Sequence, residues 1–387
     1  MDLPGSGRRE RCALWACILA CAIVVAVISP IVARGDRPGT ASSAMDWSVV
    51  GPRLLVLPVG PPGSLDAAQV SQPAVVRALN GSYLMYYTGS DGSRNRILAA
   101  HSRNGIAWTK LGGSLFLNDG SGSPFLLLIA GTYHLWFESV VWGVGPLGYT
   151  DRIFHATSTD GVTWSTPALA LDVGNVSDWD GGSVGDPSVA PGAPGDYRMY
   201  YTMYAANHTA AIGVATSTDL VTFTKWAGNP VFRPGPSGSW DDYTVANPSV
   251  VPGSPWTLFY GGRRSFTRGQ IGLATSLDGY TWTRGSAPLL GYDPPGTWDS
   301  AGVGDPEFVE GAPPHLYFDG ASGTGASEIG MVNVTSASSS GATEGTVLGI
   351  PVLAFVLLVL VAGIGVATVL AVLLVLRSGS RRPPESG

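Results

Sequence analysis

WDGGSVGDPSV, residues 179–189, is the stretch that decides the fold, because its skeleton recurs along the chain. Trp240-Asp241 leads to Asn247-Pro248, and Trp298-Asp299 leads to Asp305-Pro306, with the same spacing. A weaker copy runs from Leu65-Asp66 to Gln72-Pro73, and a shorter one runs from Asn118-Asp119 to Ser123-Pro124. The five prolines at positions 73, 124, 187, 248 and 306 are therefore 51, 63, 61 and 58 residues apart. A period in this range indicates repeated supersecondary units.

Each proline motif is followed by further runs with the alternation and aromatic content of half-buried strands. The second runs are residues 83–87, 133–137, 197–201, 256–260 and 314–318. The third runs begin at Ile97, Ile153, Ile212, Ile271 and Ile329. In the first four repeats, a turn that begins with Asn or Asp then leads to an aromatic residue that starts a fourth strand. The pattern predicts four strands in each repeat.

The fifth repeat lacks this fourth strand, but residues 45–58 at the other end of the domain read like one. We call residues 45–58 the clasp. Five repeats closed by the clasp predict an all-β, five-bladed β-propeller over residues 45–334, whose strand edges are short and protected. The predicted blades are 64–115, 116–172, 173–232, 233–290, and 291–334 together with the clasp.

Two apolar segments flank the predicted propeller. Residues 12–33 follow Arg8, Arg9 and Arg11, so residues 1–37 read as a short cytoplasmic region and a signal anchor. Small residues around positions 41–44 are also compatible with cleavage. A Ser/Gly/Thr-rich linker at 335–345 leads to an uncharged segment, 346–376, that exceeds the roughly 20 residues needed to span a bilayer. Because residues 377–387 are basic, the positive-inside rule predicts cytoplasmic termini and a propeller outside the cell membrane.

Net charge limits the possible partners, and cysteine content limits how the domain can be stabilised. The formal net charge of −6 provides no basic surface, which argues against nucleic acid. All three cysteines, Cys12, Cys17 and Cys21, lie in the first apolar segment, so the predicted propeller contains no disulfide. The domain must therefore be stabilised by its core alone.

The order of these motifs resembles the five-bladed propeller glycoside hydrolases of families 43, 32, 68 and 130. The resemblance covers residues 45–334 and implies that the chain acts on or binds oligosaccharides or polysaccharides. It also implies that carboxylates at the starts of the innermost strands face a central funnel. In the resembled enzymes, an Asp usually stands where this chain has Gln72, a Glu stands in the region of Asn247, and Asp186 matches a retained Asp. Since Gln and Asn do not titrate, neither can serve as a general acid or base.

The candidate catalytic residues are therefore Asp186 and Asp305, with Glu138 as the candidate acid. Candidate substrate-binding residues are Gln72, Ser123, Asn247 and Asp66, together with Trp142 and Tyr149 in a long insertion of the second repeat. Glu307 is a further carboxylate two residues after Asp305. The scattered histidines do not predict a zinc site, although the resemblance allows a calcium held in the channel by one histidine with a carboxylate or water.

Two classes of function remain open at this point. The chain is either a glycosidase or glycan phosphorylase, or a non-catalytic carbohydrate-binding, adhesion or structural surface protein. The repeated Trp-Asp pair has its own alternative, because a residue shared by several blades suits a structural corner better than a catalytic group. The sugar, the linkage and the stereochemical outcome do not follow from the sequence.

Overall fold

Strand order within each repeat determines the architecture. The computed structural model describes residues 46–115, 120–145, 148–192, 195–207, 209–264, 268–337, 346–347 and 350–351. Blade 1 consists of β2 (Gln69–Arg77), β3 (Tyr83–Ser90), β4 (Asn95–Ser102) and β5 (Trp108–Leu111). Blade 2 consists of β6 (Ser121–Ile129), β7 (Thr132–Trp142), β8 (Tyr149–Ser158) and β9 (Ala168–Leu171). Blade 3 consists of β10 (Ser183–Pro191), β11 (Tyr197–Tyr204), β12 (Ala210–Ser217) and β13 (Thr224–Lys225).

Blade 4 and blade 5 complete the ring. Blade 4 consists of β14 (Thr244–Val251), β15 (Trp256–Arg263), β16 (Gly269–Ser276) and β17 (Trp282–Arg284). Blade 5 consists of β18 (Gly302–Val309), β19 (His315–Ala321), β20 (Ser327–Ala337) and, as its outermost strand, β1 (Asp46–Leu57). The innermost strands contact one another in sequence, and β18 contacts β2. The predicted five-bladed propeller and the closing role of the clasp are therefore confirmed.

The clasp pairs with β20 along almost its whole length. The register runs from Asp46 opposite Ala337 to Leu57 opposite Ile329, in antiparallel orientation. Trp47 packs edge-on against Phe259 of blade 4 and Phe308 of blade 5, with ring centroids 5.6 and 5.3 Å apart. Because β20 continues to Ala337, the first three residues of the predicted linker 335–345 belong to the sheet.

The predicted membrane segments lie almost wholly outside the described residues. Within the described part of the chain, no helix is long and apolar enough to cross a membrane. Inside the segment 346–376, predicted to be helical, β21 (Thr346–Val347) and β22 (Ile350–Pro351) pair as short strands instead. Residues 1–37 and 377–387 also lie outside the described residues, so their predicted roles stay predictions.

The Asp that stands six residues before the pre-proline residue is structural in blades 1, 3, 4 and 5. Asp66, Asp180 and Asp241 accept a hydrogen bond from the tyrosine hydroxyl of the second strand in the same blade. Each of these carboxylates, and Asp299, is paired with a cation from the outermost strand or its extension, namely Lys110, Lys225, Arg284 and Arg53. The clasp therefore supplies, through Arg53, a cation for blade 5 at the place where blades 1, 3 and 4 use a Lys or Arg of their own fourth strand.

Glu307 forms a hydrogen bond that connects the innermost strands of blade 5 and blade 1. The Ser188 hydroxyl accepts a hydrogen bond from the Val250 N–H at 3.0 Å, and the Ser249 hydroxyl accepts one from the Phe308 N–H at 3.0 Å. In the matching position, Glu307 Oε1 accepts a longer bond from the Val75 N–H at 3.4 Å. Burial raises the pKa of Glu307 to about 8. The carboxyl is therefore held mainly in its protonated form at neutral pH.

Replacing Glu307 with Gln should stabilise the fold relative to wild type as the pH rises. Between pH 4.5 and 8, the unfolded chain releases the Glu307 proton while the folded chain retains it, so wild-type stability falls across this window. Gln keeps the acceptor for Val75 and carries no titrating proton. The free energy of unfolding of each protein is measured by chemical denaturation at pH 4.5 and at pH 7. Relative to wild type, the variant should gain roughly 3 kcal/mol between these two pH values. Glu310→Gln, at an exposed glutamate on the same blade, is the control, and a difference independent of pH for Glu307→Gln would contradict the prediction.

Candidate active site

The residues before the five motif prolines share an unusual backbone conformation. Their φ values are positive, at 53° for Gln72, 45° for Ser123, 48° for Asp186, 53° for Asn247 and 47° for Asp305. Each innermost strand shifts register at this point, for example between Gly185 and Ser188. Positive φ is uncommon for residues other than glycine, and bulges of this kind redirect a side chain. All five residues line one narrow cavity, so the bulges turn them toward the central channel.

A wider cavity of about 380 Å³ adjoins this ring. Its lining includes Glu138, Asp186 and Asp305, the three predicted catalytic residues. Of the predicted binding residues, Gln72, Asn247 and Tyr149 also line this cavity, whereas Ser123 lines the narrow one. The structure therefore brings together residues from all five blades at one end of the channel, which we call the funnel.

Glu138 and Asp186 form one carboxyl pair in the funnel. The Ser123 hydroxyl donates to Asp186 Oδ1 at 2.7 Å, and the Tyr204 hydroxyl donates to Asp186 Oδ2 at 3.0 Å. Burial, followed by the negative charges of Asp186 and Asp151, raises the pKa of Glu138 well above its usual range. A hydrogen bond from the Asp186 backbone opposes this shift. Glu138 is therefore suited to hold a proton at neutral pH.

Asp305 and Asp319 form a second carboxyl pair, in blade 5. Burial raises the pKa of Asp305 well above its usual range, and the charge of Asp319 and a hydrogen bond to it act in the same direction. The nearby Arg263 opposes the shift. The Ser327 hydroxyl donates to Asp319 Oδ2 at 2.7 Å, which fixes that side chain. Asp305 is therefore suited to hold a proton at neutral pH.

Asp319 was not among the residues predicted from the sequence. It follows the second run of blade 5, residues 314–318, just as Glu138 follows residues 133–137 in blade 2. In blades 1 and 3 the same position holds Thr88 and Thr202, whose hydroxyls accept the backbone N–H of the pre-proline residue in the next blade, at 3.0 and 2.9 Å. Comparing the five repeats at this position would have found Asp319.

Asp66 lies apart from the funnel, contrary to its predicted role in substrate binding. It is 3% exposed and is bonded to the Ser64 and Tyr87 hydroxyls at 2.9 Å and to Lys110 Nζ at 2.6 Å. Its carboxylate is thus saturated by the structural corner of blade 1, and it is absent from the lining of both funnel cavities. The Asp of this corner is therefore architectural in blade 1, as it is in blades 3, 4 and 5.

Trp142 and Tyr149 lie at the end of the β7–β8 hairpin and face one another across it. Tyr149 lines the funnel, whereas Trp142 lines a neighbouring cavity that also contains Glu138 and Tyr149. Their ring centroids are 5.8 Å apart at an interplanar angle of 53°. Both aromatic rings are therefore within the reach of a ligand that extends out of the funnel.

The donor set expected for a metal is not found in the described residues. None of the four described histidines, His101, His134, His155 and His315, lines the funnel cavities. His134 and His155 instead contact each other at 3.1 Å and stack against Trp136. The described part of the chain also contains no group of three or more His, Cys, Asp or Glu residues arranged to hold a metal.

Comparisons with known proteins agree with this architecture. Residues 113–299, a little under half of the chain, match the glycosyl hydrolases family 32 N-terminal domain. The chain is 26% identical over 203 residues to an insoluble isoenzyme of beta-fructofuranosidase from Arabidopsis thaliana, covering 48% of this chain and 32% of that enzyme. The chain also superposes, with a TM-score of 0.58, on a solved structure from work on family 130. That work describes mannoside phosphorylases and, among them, glycoside hydrolases that target β-1,2 mannosidic linkages in Candida mannan. That match has 16% identity and covers 76% of this chain and 96% of the other. The chain is a glycoside hydrolase-like five-bladed propeller.

This propeller also has a relative from Mycobacterium tuberculosis (strain ATCC 25618 / H37Rv), an uncharacterized protein. The identity is 29% over 256 residues, which covers 60% of this chain and 83% of the relative. Within the propeller, the side-chain oxygen of Gln72 accepts the Ser123 N–H at 3.1 Å. The funnel therefore combines this bonded amide with the carboxyl groups of Glu138, Asp186 and Asp305.

Proposed function

We propose that this protein is a membrane-anchored, extracellular glycoside hydrolase that cleaves oligosaccharides or polysaccharides in its funnel. The observation that carries the proposal is the group of carboxyls that line one cavity, Glu138, Asp186 and Asp305, with Asp319 next to Asp305. Glycoside hydrolysis requires one carboxyl group that donates a proton and another that acts as base or nucleophile. The funnel contains candidates for both the proton donor and the base.

The environments of the two pairs suggest different roles. Glu138, whose pKa is raised by burial and by two neighbouring carboxylates, donates its proton to the oxygen of the leaving sugar. Asp186, held by the Ser123 and Tyr204 hydroxyls, positions Glu138 and binds the sugar. A carboxylate of the Asp305 and Asp319 pair accepts a proton from the attacking water, while the water oxygen bonds to the anomeric carbon and the glycosidic bond breaks.

Hydrolysis fits the charge of the funnel better than phosphorolysis does. The described lining of the wider cavity contains four carboxyl groups, of Glu138, Asp151, Asp186 and Asp305, and one arginine, Arg263. An inorganic phosphate entering this cavity would meet repulsion from any ionised carboxylates, whereas water and neutral sugar hydroxyls would not. The cavity therefore favours water as the acceptor of the sugar.

The proposed location rests on the sequence alone. The apolar segments 12–33 and 346–376 flank the propeller, and basic residues lie outside both of them. Anchoring at both ends would hold the funnel at the outer cell surface, where external polysaccharides are accessible. Membrane fractionation of cells that express the full chain, combined with protease treatment from outside, tests this placement.

The activity is tested with nitrophenyl arabinosides, xylosides, fructosides and mannosides, with and without phosphate. Wild type should release nitrophenol without phosphate, and Asp186→Asn and Asp305→Asn should each lose about 100-fold or more of the turnover. Binding to a glycan array without turnover would instead support the carbohydrate-binding alternative. Silence in both assays would support a structural surface protein.

A further inference from the structure

The β7–β8 hairpin of blade 2 is longer than its counterparts in the other blades. β7 has 11 residues and β8 has 10, whereas β3, β4, β11, β12, β15 and β16 have 8 each. The added length carries Trp142 opposite Tyr149 at the tip. Trp142 is 73% exposed. A large aromatic side chain held in water on an extension that the fold does not need is typical of a binding surface.

This hairpin forms one wall of a side cleft of about 620 Å³. The other wall comes from blade 1, with Ser93 and Arg94 of the β3–β4 loop and Asn95 at the start of β4. Gly120 lies between the two walls and is bonded to both, because its N–H donates to Asn95 O at 2.9 Å and its carbonyl accepts from Val140 N–H at 3.1 Å. The walls of the cleft are therefore tied together through the backbone.

The loop on the blade 1 side is also fixed in shape. Asp91 Oδ1 accepts the Ser93 N–H at 2.8 Å, the Ser93 hydroxyl at 2.6 Å and the Arg94 N–H at 3.1 Å. The other oxygen of Asp91 pairs with Arg96 at 2.8 Å. A loop that is already ordered loses little conformational entropy when a ligand binds.

The side cleft is continuous with the funnel. Glu138, Tyr149 and Asp151 line both cavities, so the proposed acid stands at their junction. A glycosidic bond placed beside Glu138 would have one sugar in the funnel and the next sugar in the side cleft. Aromatic rings beside convergent polar groups form a surface that suits the apolar face and the hydroxyl groups of a neutral sugar.

We propose that the side cleft between blades 1 and 2 is a second sugar-binding subsite, and that the substrate is a neutral oligosaccharide rather than a single glycoside. The inference rests on the proposed function, since it assigns the direction in which the substrate extends from the same funnel. Trp142 is the platform for the second sugar, and Ser93 and Asn95 face it from the other wall.

The test uses the full chain and its Trp142→Ala variant. The probes are arabino-, xylo-, fructo- and manno-oligosaccharides of increasing length, beside the nitrophenyl monosaccharide glycosides of the same sugars. Wild type should gain in kcat/KM, and in affinity by calorimetry, on going from one sugar unit to two or more. Trp142→Ala should remove that gain, with a loss of about tenfold or more in affinity for the longer probes. Trp226→Ala, at an exposed tryptophan of blade 3, is the matched control and should retain the gain.

Separate outcomes decide the inference and the function. Binding that strengthens with chain length and depends on Trp142, without any turnover, would support the subsite and refute the hydrolase. Turnover by wild type with no dependence on chain length, or a gain that survives in Trp142→Ala, would overturn the subsite while leaving the hydrolase intact. An absence of binding to every oligosaccharide would also overturn it.

Discussion

Replacing Glu138 with Gln is expected to reduce glycoside hydrolysis by about 100- to 10,000-fold, because the leaving sugar then departs without a proton. Gln has nearly the same shape and retains an oxygen that can accept the hydrogen bond from the Asp186 backbone. The propeller should therefore stay folded, and circular dichroism and the unfolding midpoint check that it does. Turnover of natural oligosaccharides gives the primary measurement.

Two further readouts distinguish an acid from a structural residue. Glycosides with dinitrophenyl leaving groups need little protonation, so the variant should lose far less activity on them. Wild-type activity should also fall as the pH rises through the elevated pKa of Glu138, since the deprotonated group cannot act as an acid. In Glu138→Gln this alkaline limb of the residual activity should disappear. Equal losses on all leaving groups with an unchanged pH profile would refute the role of acid.

Deletion of the clasp, residues 45–58, is expected to leave the propeller insoluble. The deletion removes Arg53, which donates to Asp299 at 2.7 Å and to Gly291 O at 2.6 Å, and it leaves the fully buried Asp299 carboxylate without its cation. An unpaired buried charge alone costs about 3–5 kcal/mol. The deletion also exposes the apolar edge of β20, which invites aggregation. Solubility after expression and the elution volume in size-exclusion chromatography measure the result.

The control for the clasp deletion is a deletion of residues 38–44, which precede β1 in the sequence. A synthetic peptide of residues 46–57 should restore part of the soluble fraction when it is added during refolding, because it can pair with β20. Substituting Arg53 with Met in this peptide should remove the rescue. A clasp-deleted protein that folds normally would show that ring closure does not depend on β1.

The repeat made the fold predictable, whereas the site was predictable only in part. The number of strands, the order of the blades and the borrowed strand could be predicted because each repeat has the same sequence of strand and turn motifs. The structure shows the corresponding four-stranded sheet in every blade. The position of Asp66 before an inner strand predicts a residue that binds substrate. In the structure, hydrogen bonds from Lys110 and Tyr87 keep its carboxylate within blade 1. Such partners come from strands 21 and 44 residues away in sequence, so local pattern could not show them.

Asp319 and Glu307 illustrate two other limits. The bulge between Gly304 and Glu307 changes which side chains face the funnel, and simple alternation along β18 does not reveal such a bulge. Glu307 lines the narrow cavity and also accepts the Val75 N–H at the junction with blade 1, while Asp319 from the next strand lies near Asp305. A carboxyl pair of this kind depends on two strands at once, and reading one strand at a time misses it.

The pairing of β1 with β20 also fixes the order in which the molecule can be assembled. The clasp is synthesised before any blade, but its partner Asp299 is 246 residues further along the chain. During translation, β1 must therefore wait unpaired while four complete blades emerge, and the ring closes only when nearly the whole domain has left the ribosome. Contacts between residues so far apart in sequence form slowly, and the nascent chain is exposed to aggregation until the ring closes. A propeller whose last blade is completed by a strand close in sequence would avoid this delay.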